Sequence, residues 1–153
     1  MPSAERELRR AVAVAVRRED GLVLAVRRPD EPGEELPGVW GLPATTLSDN
    51  ESPKDAVRRL GREKLGVELT PLRPLAGGER QRPDYLLHMT VYEASMTGEP
   101  RLARRAAGAS RTLYDGIDWL PDASFQEAAD AGSLCCALFV RAVAESTHAL
   151  GQS

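Results

Sequence analysis

The stretch that decides the fold is GVWGLPATTLSDNESPKDAVRRLGREKLGVEL, residues 38–69. Its second half carries the signals of an α-helix. Ser52 is a favourable N-cap, Pro53 suits the first helical turn, and Asp55 has the spacing of a capping box. Gly66 can end the helix in the left-handed conformation. We therefore predict a helix that begins after Ser52 and runs to about the residue before Gly66.

Extended segments flank this helix on both sides. Two valine-rich runs meet at Asp20-Gly21, which is a strong signal for a β-hairpin. Residues 84–96 predict a covered central strand, because both of their alternating faces are apolar or half-polar. One or two C-terminal helices are expected, with a break at Gly132-Ser133. The remaining expected strands are 11–18, 21–28, 39–47, 69–80 and 112–121, and the expected loops are 29–38 and 97–110.

The order of these elements, β-β-β-α-β-β-β-α, predicts an α/β fold with a mixed sheet and helices on both of its faces. A chain of 153 residues is most simply one domain. We expect this domain to span residues 1–153, with an ordered core at about 10–145 and flexible termini.

Composition and charge narrow the function classes. The net charge of −3 argues against a general nucleic-acid or membrane-surface binder, and no stretch approaches the length of a membrane span. The only cysteines, Cys135 and Cys136, lie in an apolar run and are expected to be buried thiols rather than a disulfide or a zinc site. The N-terminus is charged and does not resemble a signal peptide, so a cytoplasmic protein is expected.

The quoted stretch resembles the signature of the Nudix hydrolases, G-x5-E-x7-R-E-U-x-E-E-x-G-U, in which U is a bulky aliphatic residue. The usual lead-in W-x-L-P is also present. The matching residues are Trp40, Leu42, Pro43, Glu51, Arg59, Glu63, Gly66 and Val67, without a gap. The resemblance implies a Nudix-type α/β/α sandwich with a central mixed sheet. It also implies a diphosphate substrate and Mg²⁺ or Mn²⁺ as the cofactor.

The chain departs from this signature at the positions that carry its metal chemistry. Ala44 and Thr45 replace paired glycines, and Gly61 replaces an aliphatic residue. Leu60 and Lys64 replace two of the glutamates. Hard dications need several oxygen ligands whose charge offsets their own. Three negative charges are expected in this segment of a family member, but the sum here is zero.

Leu60 and Lys64 are four residues apart, so both are expected on one helix face, the face that the resemblance turns toward the metals. A full multi-metal cluster is therefore not expected. One ion, held by Glu63, Glu51 and backbone oxygens, is the reduced site that the sequence still allows. Leu60 is expected to pack, and Gly61 to lie close against a strand.

Lys64 is open to two interpretations. Its ammonium group can bind phosphate and replace a bridging metal ion, or it can be a solvated residue that suits the negative end of the helix dipole. Glu51 can likewise act in the site or only complement the helix dipole, and Arg59 can pair with Glu63 one turn later.

The remaining candidates are substrate contacts. Arg28 and Arg80 have guanidinium groups that suit phosphate oxygens, and Trp40 and Tyr85 can stack on a base or pack in the core. Glu93 is a candidate for a further carboxylate in the site.

The first hypothesis is a hydrolase of a nucleoside diphosphate-linked or related diphosphate compound, with Glu63, Glu51 and Arg59 as catalytic residues. The alternatives are a non-hydrolytic module that binds a phosphorylated metabolite and an enzyme with metal-independent chemistry. The expected partner is a small phosphorylated metabolite, without nucleic acid or membrane. Dimers are common among Nudix relatives, so a homodimer is a further expectation.

Overall fold

The computed structural model of the protein describes residues 7–28, 38–102 and 114–151. Most of the predicted loop 29–38 and part of the predicted loop 97–110 lie outside these ranges. Seven strands and three α-helices are described: β1 Glu7–Ala15, β2 Val23–Arg27, β3 Trp40–Gly41, β4 Ala44–Thr46, α1 Pro53–Leu60, β5 Glu68–Gln81, β6 Tyr85–Thr97, β7 Gly116–Leu120, α2 Gln126–Asp130 and α3 Leu134–Gly151. A π-helical turn, Gly61–Leu65, extends α1, and a 3₁₀ turn, Asp122–Phe125, precedes α2.

The predicted mixed sheet is confirmed, with the strand order β4-β1-β6-β5. Strand β1 runs parallel to β6, while the β1–β4 and β5–β6 pairs are antiparallel. Strand β6 is central, as its two apolar faces predicted. A second sheet of three antiparallel strands has the order β3-β2-β7.

Helices cover both faces of the mixed sheet, so the predicted α/β/α sandwich is also confirmed. Alternate residues of β1 point to opposite faces of the sheet. Val12 and Val14 belong to the core cluster that includes α1, whereas Ala11, Ala13 and Ala15 belong to the cluster that includes α3. These two separate cores divide the molecule into a side that carries the signature helix and a side that carries α3.

The predicted hairpin at Asp20-Gly21 is present, but its two strands separate into different sheets. Leu22 N–H lies 3.1 Å from the Asp20 carboxylate, and Gly21 has a positive φ of 89°. Residues Arg17 and Val23 form a single bridge, after which β1 enters the mixed sheet and β2 the smaller one. This divergence carries the chain from one layer to the other, and a local turn signal could not reveal it.

The two cysteines are buried, as predicted. Both lie in the first turn of α3, where the Ser133 hydroxyl accepts a hydrogen bond from Cys136 N–H at 3.3 Å. The interaction with the Cys136 thiol, together with burial, raises the pKa of Cys135, and the interaction with the Cys135 thiol lowers the pKa of Cys136. Among the described residues, no helix has both the length and the apolar character that crossing a membrane requires.

Candidate functional site

The start of α1 follows the capping prediction. The Ser52 hydroxyl accepts a hydrogen bond from Asp55 N–H at 3.1 Å, and Pro53 occupies the first turn. A tight turn precedes it, in which Asn50 adopts a left-handed backbone with φ of 63°. Asparagine tolerates this conformation better than most residues do. The turn brings the side chain of Glu51 back toward the helix that follows it.

Glu51 and Arg59 form a bidentate ion pair. Arg59 Nε lies 2.9 Å from Glu51 Oε2, and Arg59 Nη2 lies 2.9 Å from Glu51 Oε1. Glu51 Oε1 also accepts a hydrogen bond from Ser48 N–H at 2.9 Å. The side chains of Glu51 and Arg59 are 14% and 21% exposed. The hydrogen bonds from Arg59 hold the pKa of Glu51 below its ordinary value, so the carboxylate is ionised at neutral pH.

Arg59 joins this pair to two further parts of the signature. Its Nη2 donates to the backbone oxygen of Thr46 at 2.8 Å, and its Nη1 donates to Glu63 Oε1 at 3.1 Å. The predicted Arg59–Glu63 pair is therefore confirmed. The Glu63 side chain is 58% exposed. Arg59 thus links the turn that precedes α1 to the π-helical turn that follows it. Of the side chains in this network, that of Glu63 is the one that faces solvent.

Leu60 and Gly61 have the packing roles that the sequence predicted. Leu60 is fully buried in the core cluster with Val57 and Leu65. A Cβ atom at Gly61 would lie 2.7 Å from Leu69 Cγ and 2.9 Å from Val67 O. The glycine therefore allows the helix to pass close to the start of β5.

Leu60 and Lys64 differ in environment, although their spacing predicts one helix face. The helix changes from α to π geometry at Gly61, between these two residues. Leu60 lies in the core, while Lys64 is only partly buried and extends toward β4. The π turn ends at Gly66, whose left-handed φ of 67° agrees with the predicted cap.

The ammonium group of Lys64 is held against the start of β4. Lys64 Nζ donates to the backbone oxygen of Ala44 at 2.9 Å and lies 5.2 Å from the centre of the Tyr114 ring. The Tyr114 hydroxyl accepts a hydrogen bond from Ala44 N–H at 2.9 Å and donates to Ala44 O at 3.0 Å. Lys64 is therefore a positioned cation rather than a freely solvated helix residue.

The predicted substrate contacts form two groups, the arginines and the aromatic residues. Arg80 Nη1 donates to the backbone oxygen of Gly132 at 2.8 Å, which places Arg80 beside the start of α3. Arg28 follows β2, where its backbone N–H donates to Val39 O at 3.1 Å, and its charge helps to lower the pKa of Cys136. Arg82 also reaches Gly132 O, at 3.4 Å, and its buried Nε has no hydrogen-bond partner within the described residues.

The two aromatic candidates contact other arginines. The Arg27 guanidinium lies 6.0 Å from the centre of the Trp40 ring, and the Arg9 guanidinium lies 4.1 Å from the centre of the Tyr85 ring. Neither aromatic ring has a described contact with the network of Arg59. Glu93 lies on the α3 side of the sheet and pairs with Arg73 at 2.8 Å, so it does not join the carboxylates of the signature.

Comparison with known proteins identifies the family. The family model described as the NUDIX domain matches residues 7–129. The chain belongs to the Nudix family. The α/β sandwich and the Nudix signature therefore agree on the same assignment.

Solved structures of Nudix proteins have the same fold. A MutT protein from Methanosarcina mazei Go1 is 18% identical with a TM-score of 0.73, over 93% of this chain and 97% of that one. A MutT Nudix hydrolase from Burkholderia pseudomallei is 25% identical with a TM-score of 0.62, over 76% and 85%. An ADP-ribose pyrophosphatase from Streptococcus suis 89-1591 is 17% identical with a TM-score of 0.55, over 75% of each chain.

Nudix proteins generally use a divalent metal, but the described side chains of this Nudix box do not fit one. In residues 7–28, 38–102 and 114–151, no three His, Cys, Asp or Glu side chains gather to form a ligand set. Both oxygens of Glu51 already accept hydrogen bonds from Arg59, and a cation would have to displace that guanidinium. Glu63 alone offers an exposed carboxylate, and Lys64 brings a positive charge to the neighbouring backbone oxygen.

Sequence reasoning missed Tyr114 as a site residue. The side chain is 8% exposed, and its contacts with Ala44 join residues 70 positions apart. A lone tyrosine just before a strand carries no spacing signal, so only the folded structure reveals this contact.

Proposed function

We propose that this Nudix protein binds a small phosphorylated metabolite without a metal ion, and that it does not hydrolyse its ligand by metal-assisted chemistry. The observation that carries the proposal is the position of Lys64, whose ammonium lies 2.9 Å from Ala44 O in a box whose buried carboxylate is already paired. An ammonium is a compact charge that binds phosphate oxygens well, and its bond to Ala44 O holds it in place. A positioned cation binds an anion at a lower entropic cost than a mobile side chain does.

The second group of cations supplies a further contact for the ligand. Arg80 and Arg82 both donate to Gly132 O before the start of α3, and Arg28, whose charge acts on Cys136 in the first turn of that helix, is a third cation. Guanidinium groups bind phosphate and other planar anionic or carbonyl groups through paired donors. We assign the phosphate of the metabolite to Lys64 and its remaining polar groups to these arginines. A nucleoside diphosphate-linked compound has both kinds of group.

The hydrolase hypothesis is the second candidate function, and the exposed carboxylate of Glu63 favours it. Glu63 accepts a hydrogen bond from Arg59 through Oε1, and its side chain is 58% exposed. Its Oε2 is oriented by that contact and can accept a proton from water as a general base. In this mechanism Arg59 positions Glu63, and Lys64 stabilises the negative charge that develops on phosphate oxygens.

A panel of nucleoside diphosphate-linked compounds separates the two functions. Each compound is tested for binding by calorimetry in EDTA, and for release of monophosphate in Mg²⁺, Mn²⁺ and EDTA. The proposal expects at least one compound to bind in EDTA without turnover in any condition. Turnover in any of these conditions that is lost in Glu63→Gln would instead establish the hydrolase.

The chain offers a matched control for Lys64. Its sequence contains two lysines, Lys54 and Lys64, and Lys54 is exposed in the first turn of α1. Lys64→Ala should weaken binding of the compound by about tenfold or more, the size expected for a lost charge-assisted hydrogen bond. Lys54→Ala should leave the affinity unchanged. Equal losses in the two variants would show only a general effect of net charge.

A further inference from the structure

A cavity of about 280 Å³ lies on the side of the mixed sheet opposite the Nudix box, between the sheet and the second half of α3. We call it the α3 cavity. Ala15 and Phe139 form buried parts of its lining and are 5% and 0% exposed, and Leu75 and Val143 add further apolar surface. Because Ala15 points away from the face that α1 covers, the α3 cavity is separate from the site of Lys64.

Charged side chains surround this apolar lining in two ion pairs. Arg73 Nε donates to Glu93 Oε1 at 2.8 Å, and Arg17 Nη1 donates to Asp122 Oδ1 at 2.9 Å. Arg17 Nη1 also donates to Gly21 O at 2.8 Å. The cavity therefore combines apolar side chains with convergent charged groups, a combination that is common in small-molecule sites.

Both arginines keep donors that their ion pairs do not use. A guanidinium has five N–H donors. Within the described residues, Arg73 uses only Nε and leaves both terminal nitrogens, while Arg17 leaves Nε and Nη2. Two adjacent donors of one guanidinium match the two oxygens of a carboxylate.

The charge of the α3 cavity decides which anion it suits. The two arginines are balanced by Glu93 and Asp122, so the charges in the lining sum to zero. A phosphate would add close to two negative charges beside two carboxylates, whereas a carboxylic acid adds one. The cavity is also near the lower end of the range of about 300–1,000 Å³ that is typical of ligand pockets.

We propose that the α3 cavity binds a small carboxylic acid with an apolar tail. The carboxylate contacts the free donors of Arg73 or Arg17, and the tail lies on Ala15, Phe139 and Val143. The proposal does not depend on the function of the Nudix box, because it uses none of the side chains of the box.

The test uses hexanoate as the probe, with binding to the full chain followed by calorimetry and by ligand-observed NMR. Acetate has the same charge without the tail, and hexan-1-ol has the tail without the charge. Hexanoate should bind saturably, and both comparison compounds should bind at least about tenfold more weakly. If acetate binds as well as hexanoate, or hexanoate does not bind, the proposal is wrong.

Variants locate the binding. Arg73→Gln should weaken hexanoate binding by about tenfold, and Ala142→Phe, which places a ring in the cavity wall, should abolish it. Arg58→Gln is the matched control, because Arg58 is also an exposed arginine in one ion pair, with Asp55 at 3.1 Å. Thermal unfolding of each variant shows that it is folded.

Two results would overturn the assignment. An equal loss in Arg73→Gln and Arg58→Gln would indicate non-specific attraction to surface charge. Loss of hexanoate binding in Lys64→Ala would place the acid in the Nudix box instead. Retention of hexanoate binding in Lys64→Ala, together with loss of the phosphorylated compound, would show that the protein has two independent sites.

Discussion

Glu51→Gln tests whether the best-matched glutamate of the Nudix box has a structural role. The substitution keeps the size of the side chain but removes its charge and one of its acceptor oxygens. Glu51 is 14% exposed and accepts three hydrogen bonds, two from Arg59 and one from Ser48 N–H. Breaking a buried ion pair costs about 3–5 kcal/mol, and a bond to a charged group contributes about 1.5–3 kcal/mol.

We expect Glu51→Gln to lower the free energy of unfolding by about 2–3 kcal/mol, because the pair is partly exposed and the amide keeps one acceptor. For a domain of this size, that loss lowers the Tm by about 5–10 °C. Glu63→Gln is the control, since it alters the other, 58% exposed partner of Arg59. It should cost only about 0.5 kcal/mol, as exposed ion pairs do.

The dependence on pH provides a second readout. Arg59 lowers the pKa of Glu51 in the native state, so ionisation of Glu51 stabilises that state. This stabilisation is complete above the ordinary glutamate pKa and is lost as the pH falls through the lowered native pKa. The difference in stability between the wild type and Glu51→Gln should therefore be largest near neutral pH and smaller in acid. Urea unfolding across this pH range measures it.

The reasoning is refuted if Glu51→Gln unfolds within 0.5 kcal/mol of the wild type, which is about the size of a neutral surface substitution. A larger loss in Glu63→Gln than in Glu51→Gln would also refute it, because the exposed end of the network would then be the stronger one.

Three further predictions follow from the packing around α1. Gly61→Ala should destabilise the protein by about 1–3 kcal/mol, because its Cβ would meet Leu69 Cγ at 2.7 Å; Gly77→Ala, whose Cβ would meet only Met89 O at 3.6 Å, is the control in urea unfolding. Leu60→Glu restores a glutamate of the Nudix signature but buries a carboxylate at a fully buried position, so it should unfold the protein or lower its Tm well below that of Leu60→Met, measured by calorimetry. Tyr114→Phe should cost about 1–3 kcal/mol of stability, because it leaves the backbone N–H of Ala44 without its acceptor; an unchanged Tm would contradict this role of the hydroxyl.

Much of the fold could be predicted because its signals are local. Ser52, Pro53 and Gly66 marked the helix and its cap, and the two apolar faces of residues 84–96 marked the central strand. The division of the strands between two sheets depends on long-range pairing, such as that of β2 with β7, which no local pattern specifies. The π turn after Leu60 was also not predicted; it begins at Gly61, which lies close to Leu69 at the start of β5.

In the candidate site, only the contacts between residues close together in the sequence could be predicted. Arg59 and Glu63 lie one turn apart, so their pairing follows from helix geometry. The contact of Lys64 with Ala44 and the two hydrogen bonds of Tyr114 join distant segments, and their partners could not be identified from spacing. These contacts hold the Lys64 ammonium in place, which the sequence alone could not show.

The most direct test of metal-free phosphate binding is a titration of the protein with inorganic pyrophosphate in EDTA, observed through the side-chain NMR signals of labelled lysine. The two lysines provide a probe beside Ala44 and an internal control, Lys54, that is exposed in the first turn of α1. The account predicts that the Lys64 signal shifts saturably while the Lys54 signal does not, and that Lys64→Ala weakens binding by about tenfold or more. A Lys64 signal that does not respond in EDTA, together with pyrophosphate binding or cleavage only after Mg²⁺ is added, would contradict the account.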